Sequence, residues 1–274
     1  MKIISPVKFT LATFIFTWLL QGIAILSGQS SKDFPAIVFY IIGGCGPSLV
    51  ALFFVWRNFN AEQRREFWSR VFSPRRIQPI WWIVTLVAVP STMLLGVWVN
   101  ALLGGTMPQM DYLNLLKSQP AEIPIFLIMM MIGGPLAEEF GWRGLLLDAF
   151  QKKWSAAVST LVLFLIWWLW HLPLFFLPGT TQYAWGMFGN MFWLFAMNVF
   201  LLTILISLAH NSNNRSVLAA MLIHFSYNVT LSLLVPYSVQ TFAFMTTFLA
   251  VLVVGTLTIQ KLNFIKNQPA YSEG

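Results

Sequence analysis

About eight apolar stretches, each close to 20 residues long, are the feature that most restricts how this chain can fold. They lie at roughly residues 8–27, 36–56, 80–103, 123–147, 157–178, 188–209, 217–235 and 238–260. A helix of about this length crosses a ~30 Å hydrocarbon core, and backbone groups in lipid must be satisfied within their own segment. We therefore expect an all-α membrane protein, a polytopic bundle of about eight transmembrane helices.

The composition supports a single integral membrane domain over residues 1–274. Hydrophobic residues make up 58% of the chain, charged residues make up 9%, and the mean hydropathy is +0.73. A soluble domain carries about 25% charged residues. The one cysteine, Cys45, excludes an internal disulfide, and its small-residue segment 43–47 is typical of close helix packing.

The net charge of +7 follows the membrane topology rather than a nucleic-acid partner. In an eight-helix arrangement most basic residues lie on one side of the membrane. These residues are Lys2, Lys8, Arg57, Arg64, Arg65, Arg70, Arg75, Arg76, Lys152, Lys153, Arg215, Lys261 and Lys266. The other side has Lys32 and Lys117. The positive-inside rule then predicts cytoplasmic termini and contact with anionic membrane lipids. The polybasic loop and the short chain favour a bacterial cell membrane as the location.

A polar loop between the second and third stretches, residues 57–78, contains a segment that can form an amphipathic helix at the interface. In this segment, residues 60–72, aromatic side chains stand beside arginines. We expect Phe67, Trp68 and Phe72 at the level of the lipid headgroups.

Adjacent carboxylates follow the apolar run 123–132, in a chain with only nine acidic residues. A charge at membrane depth costs about 2.5–3.5 kcal/mol, so such groups are usually paired and functional. Pro135 suggests that a helix restarts there, which places Glu138 and Glu139 in its first turn. Glu139 and Arg143 are four residues apart and can pair, which leaves Glu138 available as a base. A purely structural buried network is the alternative.

The three histidines extend this cluster to other helices. His171 ends an aromatic run, and His224 lies one turn before Asn228 on one face of an apolar helix. His210 borders a polar loop and is expected at the surface. A glutamate, two histidines and an asparagine on three helices favour a convergent intramembrane site.

These groups could hydrolyse a peptide bond in two ways. In the first, Glu138 and His171 hold and deprotonate a water, and His224 with Asn228 donates hydrogen bonds to the oxyanion. In the second, Glu138, His171 and His224 bind zinc, as in a metalloprotease. The sequence lacks a His-Glu-x-x-His motif, and an asparagine amide suits an oxyanion better than zinc, so we favour a site without a cofactor.

The order of the motifs resembles the CPBP family of intramembrane proteases. This family includes the Rce1-type CAAX prenyl endopeptidases and the bacteriocin-processing and Abi proteins. The resemblance rests on Glu138-Glu139-x-x-x-Arg143, then Trp167-x-x-x-His171, then His224-x-x-x-Asn228. In the family the second motif usually begins with Phe, so Trp167 is expected to change the shape of the site rather than its chemistry.

The resemblance implies an intramembrane endopeptidase with its catalytic core at residues 123–235. Glu138 would be the catalytic glutamate and His171 its water-positioning partner. His224 and Asn228 would form the oxyanion pair, and Glu139 with Arg143 would support them. The implied substrate is a membrane-associated peptide or pro-protein, a prenylated one being a candidate. A non-catalytic immunity protein or scaffold of the same fold and a transporter are the alternatives.

Overall fold

The computed structural model describes residues 5–266, and the regular elements in this range are helical. We number the helices α1 Pro6–Leu26, α2 Ala36–Gly44, α3 Gly46–Asn58, α4 Ala61–Phe72, α5 Pro79–Leu102, α6 Asp111–Ser118, α7 Pro120–Gln151, α8 Ala156–Trp170, α9 Thr181–Trp185, α10 Asn190–Ser212, α11 Val217–Leu233 and α12 Val239–Lys266. Short 3₁₀ turns lie at Pro74–Arg76 and Leu172–Phe175. The termini predicted to be cytoplasmic lie outside the described residues.

The membrane-spanning character predicted from hydropathy is confirmed. Six helices of the described chain are long and apolar enough to cross a membrane: α1, α5, α7, α8 with its following turn, α10 and α12. The pair α2 and α3 passes the same test together, with a bend of 52° between them. The remaining predicted span is α11, a shorter apolar helix of 17 residues.

The bend between α2 and α3 lies at Cys45, inside the small-residue segment. There the Thr17 hydroxyl of α1 donates to the Gly43 carbonyl at 2.9 Å. The Trp170 indole, at the end of α8, donates to the same hydroxyl at 2.9 Å. Close packing of small residues thus joins α1, α2 and the end of α8, as is typical of membrane helices.

Helix α7 does not restart at Pro135, so this prediction is wrong. It continues over 32 residues, with π-helical turns at Ile132–Leu136 and Trp142–Leu146 on either side of the glutamates. The wider turn accommodates a proline without ending the helix, and π turns often occur at functional sites. Glu138 and Glu139 therefore lie in mid-helix, where no free helix end stabilises their charge.

The interfacial segment forms the predicted helix, α4, which begins with a capping box between Asn60 and Gln63. Its position relative to the bundle differs from the expectation. Phe67 is buried, and its ring meets the ring of Phe140 on α7 at 6.1 Å between centroids. Arg70 forms a buried ion pair with Asp148 of α7 at 2.6 Å. These two side-chain contacts hold α4 against α7.

His210 is buried rather than at the surface, which corrects the prediction. Its ring is fully enclosed, and Nε2 lies 3.2 Å from Nη2 of Arg70 and 3.8 Å from Oδ1 of Asp148. The reason is that α10 extends to Ser212, so His210 belongs to the last turn of the helix rather than to the loop.

Gly96 allows α5 and α12 to pack closely, and this contact provides a test of the fold. A Cβ at Gly96 would lie 2.5 Å from the backbone nitrogen of Met245. We expect Gly96→Ala to separate these helices and to lower stability by about 1–3 kcal/mol. Gly255→Ala in α12 is the control, because no atom lies within 4 Å of its Cβ position. Thermal unfolding of the purified protein in detergent measures both, and equal melting of the two variants would contradict this packing.

Candidate active site

Three helices carry the residues that the sequence singles out. Helix α7 carries the two glutamates, His171 follows the last residue of α8, and α11 carries His224 and Asn228. Helix α11 packs against the first π turn of α7, at Ile132–Leu136. This packing brings the third motif beside the first.

Glu139 is paired with two basic groups. Its side chain is fully buried, and Nη1 of Arg143 donates to both carboxylate oxygens, at 2.9 and 3.0 Å. Nδ1 of His224 lies 2.8 Å from Oε1. Because a carboxylate only accepts, the ring donates from Nδ1. The first motif, on α7, is thus linked directly to the third motif, on α11.

Glu138 has different partners, although it is the adjacent residue. It is 6% exposed, and its Oε2 accepts from the indole nitrogen of Trp167 at 2.5 Å. The indole nitrogen of Trp142, one turn further along α7, lies 3.4 Å from the same oxygen. Both donors are neutral, and no salt bridge to Glu138 is present among the described residues. Its carboxyl group is oriented by hydrogen bonds but forms no ion pair with another described side chain.

Trp167 contributes more than the aromatic face expected of it. Its N–H donates to Glu138, and the guanidinium carbon of Arg143 lies 4.4 Å from the centroid of its ring. The expectation that a tryptophan here would change shape but not chemistry is wrong. Phenylalanine has no donor, whereas an indole supplies one.

His171 is held by the backbone of its own helix. Its Nδ1 lies 2.7 Å from the carbonyl oxygen of Trp167, so this nitrogen is the donor. In a neutral ring the other nitrogen, Nε2, then carries a lone pair that can accept a proton or a hydrogen bond from water. The ring centroids of His171 and His224 lie 5.9 and 5.3 Å from that of Trp167, so both histidines pack against the indole that donates to Glu138.

Gly134 lies where the polar groups of α11 converge. A Cβ at this position would be 2.5 Å from Nδ2 of Asn228 and 3.5 Å from Nε2 of His224. Two nitrogens of the third motif therefore face the same point on α7. Both nitrogens can therefore donate to a single oxygen atom that lies beside Gly134.

The residues named for zinc do not form a suitable ligand set. Among the described residues, no group of three or more His, Cys, Asp or Glu side chains could hold a metal ion. His224 directs Nδ1 to Glu139, His171 directs Nδ1 to a backbone carbonyl, and Glu138 accepts from indoles. The Nδ1 contacts leave Nε2 of both histidines free, so it is the lack of a three-ligand group among the described residues that argues against zinc, and we derive no step through a metal.

Sequence reasoning missed Trp142 and Gly134 as members of the site. Trp142 lies four residues after Glu138, and Gly134 lies four residues before it. Spacing of one helical turn was thus the available signal for both. The donation from Trp167 crosses between helices, and no local spacing could have indicated it.

Two comparisons with known proteins identify what this chain is similar to. Residues 120–230 match the family model of the type II CAAX prenyl endopeptidase Rce1-like proteins. The chain is also 25% identical over 235 residues to CAAX prenyl protease 2 of Methanococcus maripaludis, covering 84% of this chain and 85% of that protein. The matched segment contains all three motifs. Both matches support the recognition made from those motifs, that of a CPBP-type membrane peptidase related to the CAAX prenyl proteases.

Proposed function

We propose that this protein is an intramembrane endopeptidase in which Glu138 activates the hydrolytic water. The catalytic core would be residues 123–235, which carry the three motifs. The observation that carries this proposal is the difference between the two adjacent glutamates. Arg143 and His224 bind Glu139 at 2.8–3.0 Å, whereas Glu138 accepts only from neutral indoles.

This difference assigns the two carboxylates separate tasks. A general base must be able to accept a proton, and an ion-paired carboxylate is a weaker base. Glu138 forms no ion pair with another described side chain, so it suits this role. Glu139 instead holds Arg143 and His224 in place.

In the first step, a water held between Glu138 and His171 attacks the carbonyl carbon of the scissile peptide bond. The oxygen of water forms a bond to this carbon, and its proton passes to Oε1 of Glu138. Nε2 of His171 accepts a hydrogen bond from the same water and orients it. When the tetrahedral intermediate collapses, Glu138 returns the proton to the departing nitrogen, the C–N bond breaks, and a carboxylic acid and an amine are released.

His224 and Asn228 are the proposed donors to the oxyanion. Since Nδ1 of His224 donates to Glu139, Nε2 can donate as well only when the ring carries two protons. The amide of Asn228 would supply the second donor.

The substrate is proposed to be a lipid-anchored peptide, in keeping with the CAAX prenyl names of the matching family and relative. An apolar groove of about 410 Å³ lies between α6, α7 and α11, lined by Leu116, Phe126, Val229 and Leu233 among others. Val229 directly follows Asn228. A prenyl chain lying in this groove would contact α11, the helix that carries the proposed oxyanion donors.

Cleavage of a quenched fluorescent CAAX peptide by protein reconstituted in liposomes tests this proposal. The peptide would be supplied in farnesylated and unmodified forms. We expect the wild type to cleave the farnesylated form faster, and Glu138→Gln to abolish cleavage in folded protein. Unimpaired turnover by Glu138→Gln would refute the assignment of the base. Equal cleavage of both peptides would refute only the lipid-anchor preference.

Glu139→Gln should act mainly on stability, in contrast to Glu138→Gln, because it removes the ion-pair partner of buried Arg143. We expect it to lower stability by about 3–5 kcal/mol, the usual cost of leaving one buried charge unpaired. Glu138→Gln breaks no ion pair and should unfold near the wild-type temperature. Thermal unfolding and protein abundance in membranes measure both variants. A destabilised Glu138→Gln beside a stable Glu139→Gln would contradict this division of tasks.

Gly134 and Gly133 form a matched pair that tests the oxyanion site. Alanine at Gly134 would displace the Asn228 amide, the flexible end of a side chain, whereas no atom lies within 4 Å of the Gly133 Cβ position. Losing one oxyanion donor typically lowers kcat by about a hundredfold or more. We expect that loss in Gly134→Ala at nearly unchanged stability, and wild-type kcat in Gly133→Ala. Equal kcat in the two variants would exclude this position for the oxyanion.

A further inference from the structure

Trp167 contacts four residues of the proposed active site, which are Glu138, Arg143, His171 and His224. Its N–H donates to Glu138 at 2.5 Å, and its ring face lies over the Arg143 guanidinium. Its ring meets the His224 ring at 75°, and its carbonyl oxygen accepts from His171 at 2.7 Å. The side chain itself is buried, with 2% exposure. One residue of α8 thus connects all three motifs.

The bond between Trp167 and Glu138 is well suited to orient a base. A hydrogen bond to an ionised acceptor is short and about twice as strong as one between neutral groups. An indole nitrogen can only donate and carries no charge. It can therefore fix the carboxylate without forming the ion pair that Arg143 forms with Glu139.

We propose that Trp167 is a positioning residue for catalysis, whose indole N–H holds Oε2 of Glu138 and thereby directs Oε1 toward the attacking water. This inference rests on the proposed function, in which Glu138 is the base. The Trp142 indole approaches the same oxygen from α7, at 3.4 Å. Both donors thus leave the other oxygen for water.

A phenylalanine at this position separates the donor from the rest of the residue. Trp167→Phe keeps an aromatic face for Arg143 and the backbone carbonyl for His171, and it removes the N–H. Displacing a reacting group by about 1 Å can cost a hundredfold in rate. We therefore expect kcat to fall by about ten- to a hundredfold with KM changed less than about twofold, since the bond acts on the base rather than on substrate binding.

Trp168→Phe is the matched control on the same helix. The Trp168 indole nitrogen is buried and has no hydrogen-bond partner among the described residues. The same substitution there removes an N–H that donates to no described residue, so we expect wild-type kcat and KM. Equal losses in the two variants would indicate a general packing effect and would overturn the proposed role.

The NMR signals of the indole N–H groups test the bond without any turnover. In ¹⁵N-indole-labelled Trp142→Phe protein, Trp167 is the remaining indole donor to Glu138 among the described residues. We expect Glu138→Gln in this background to move one indole resonance upfield, as a charged acceptor is lost, and Glu139→Gln to leave that resonance in place. An unchanged spectrum in Glu138→Gln would overturn the inference even if Trp167→Phe failed to fold.

The two measurements separate this inference from the proposed function. If Glu138→Gln shifts the indole signal but retains peptide cleavage, the bond exists and Glu138 is not the base. If Glu138→Gln abolishes cleavage while Trp167→Phe retains wild-type kcat in folded protein, the base is correct and the positioning role is overturned.

Discussion

The buried contact of Glu139 with Arg143 and His224 is the interaction on which the rest of the site depends. An isolated charge at membrane depth is expensive, and here a guanidinium and an imidazole share one carboxylate at 2.8–3.0 Å. The contact links α7 to α11. It fixes the side of α11 that faces α7 and engages both basic groups, whereas the neighbouring carboxylate, Glu138, accepts from indoles.

The surrounding helices enclose this contact, and both side chains of the Glu139–Arg143 pair are fully buried. Two π turns flank the glutamates on α7, and the first contains Gly134, beside which the amide of Asn228 fits. On α8, Trp167 covers the guanidinium and donates to Glu138. At the other end of α7, Asp148 pairs with Arg70 of α4. The charged groups in the second half of α7 thus contact three neighbouring helices: Glu138 and Arg143 contact α8, Glu139 contacts α11, and Asp148 contacts α4.

Much of this arrangement could be predicted from the sequence, because it follows from local periodicity. Hydropathy predicted the helices, and a spacing of four residues predicted that Glu139 and Arg143 share a face. The errors arose where tertiary packing decides. Pro135 reads as a helix start, but a π turn accommodates it within α7. His210 lies next to a polar loop in the sequence, but one more turn of α10 buries it beside Arg70. The donation from Trp167 to Glu138 joins two helices and has no local signature.

The most direct test of the central claim compares the peptide termini in membranes from cells that express the wild type or Glu138→Gln at equal levels. Mass spectrometry would identify the newly formed termini in each sample. The account predicts a set of termini that appears only with the wild type and that ends in membrane-associated, lipid-anchored proteins. Identical termini in both samples, with both proteins folded and abundant, would contradict a peptidase that depends on Glu138.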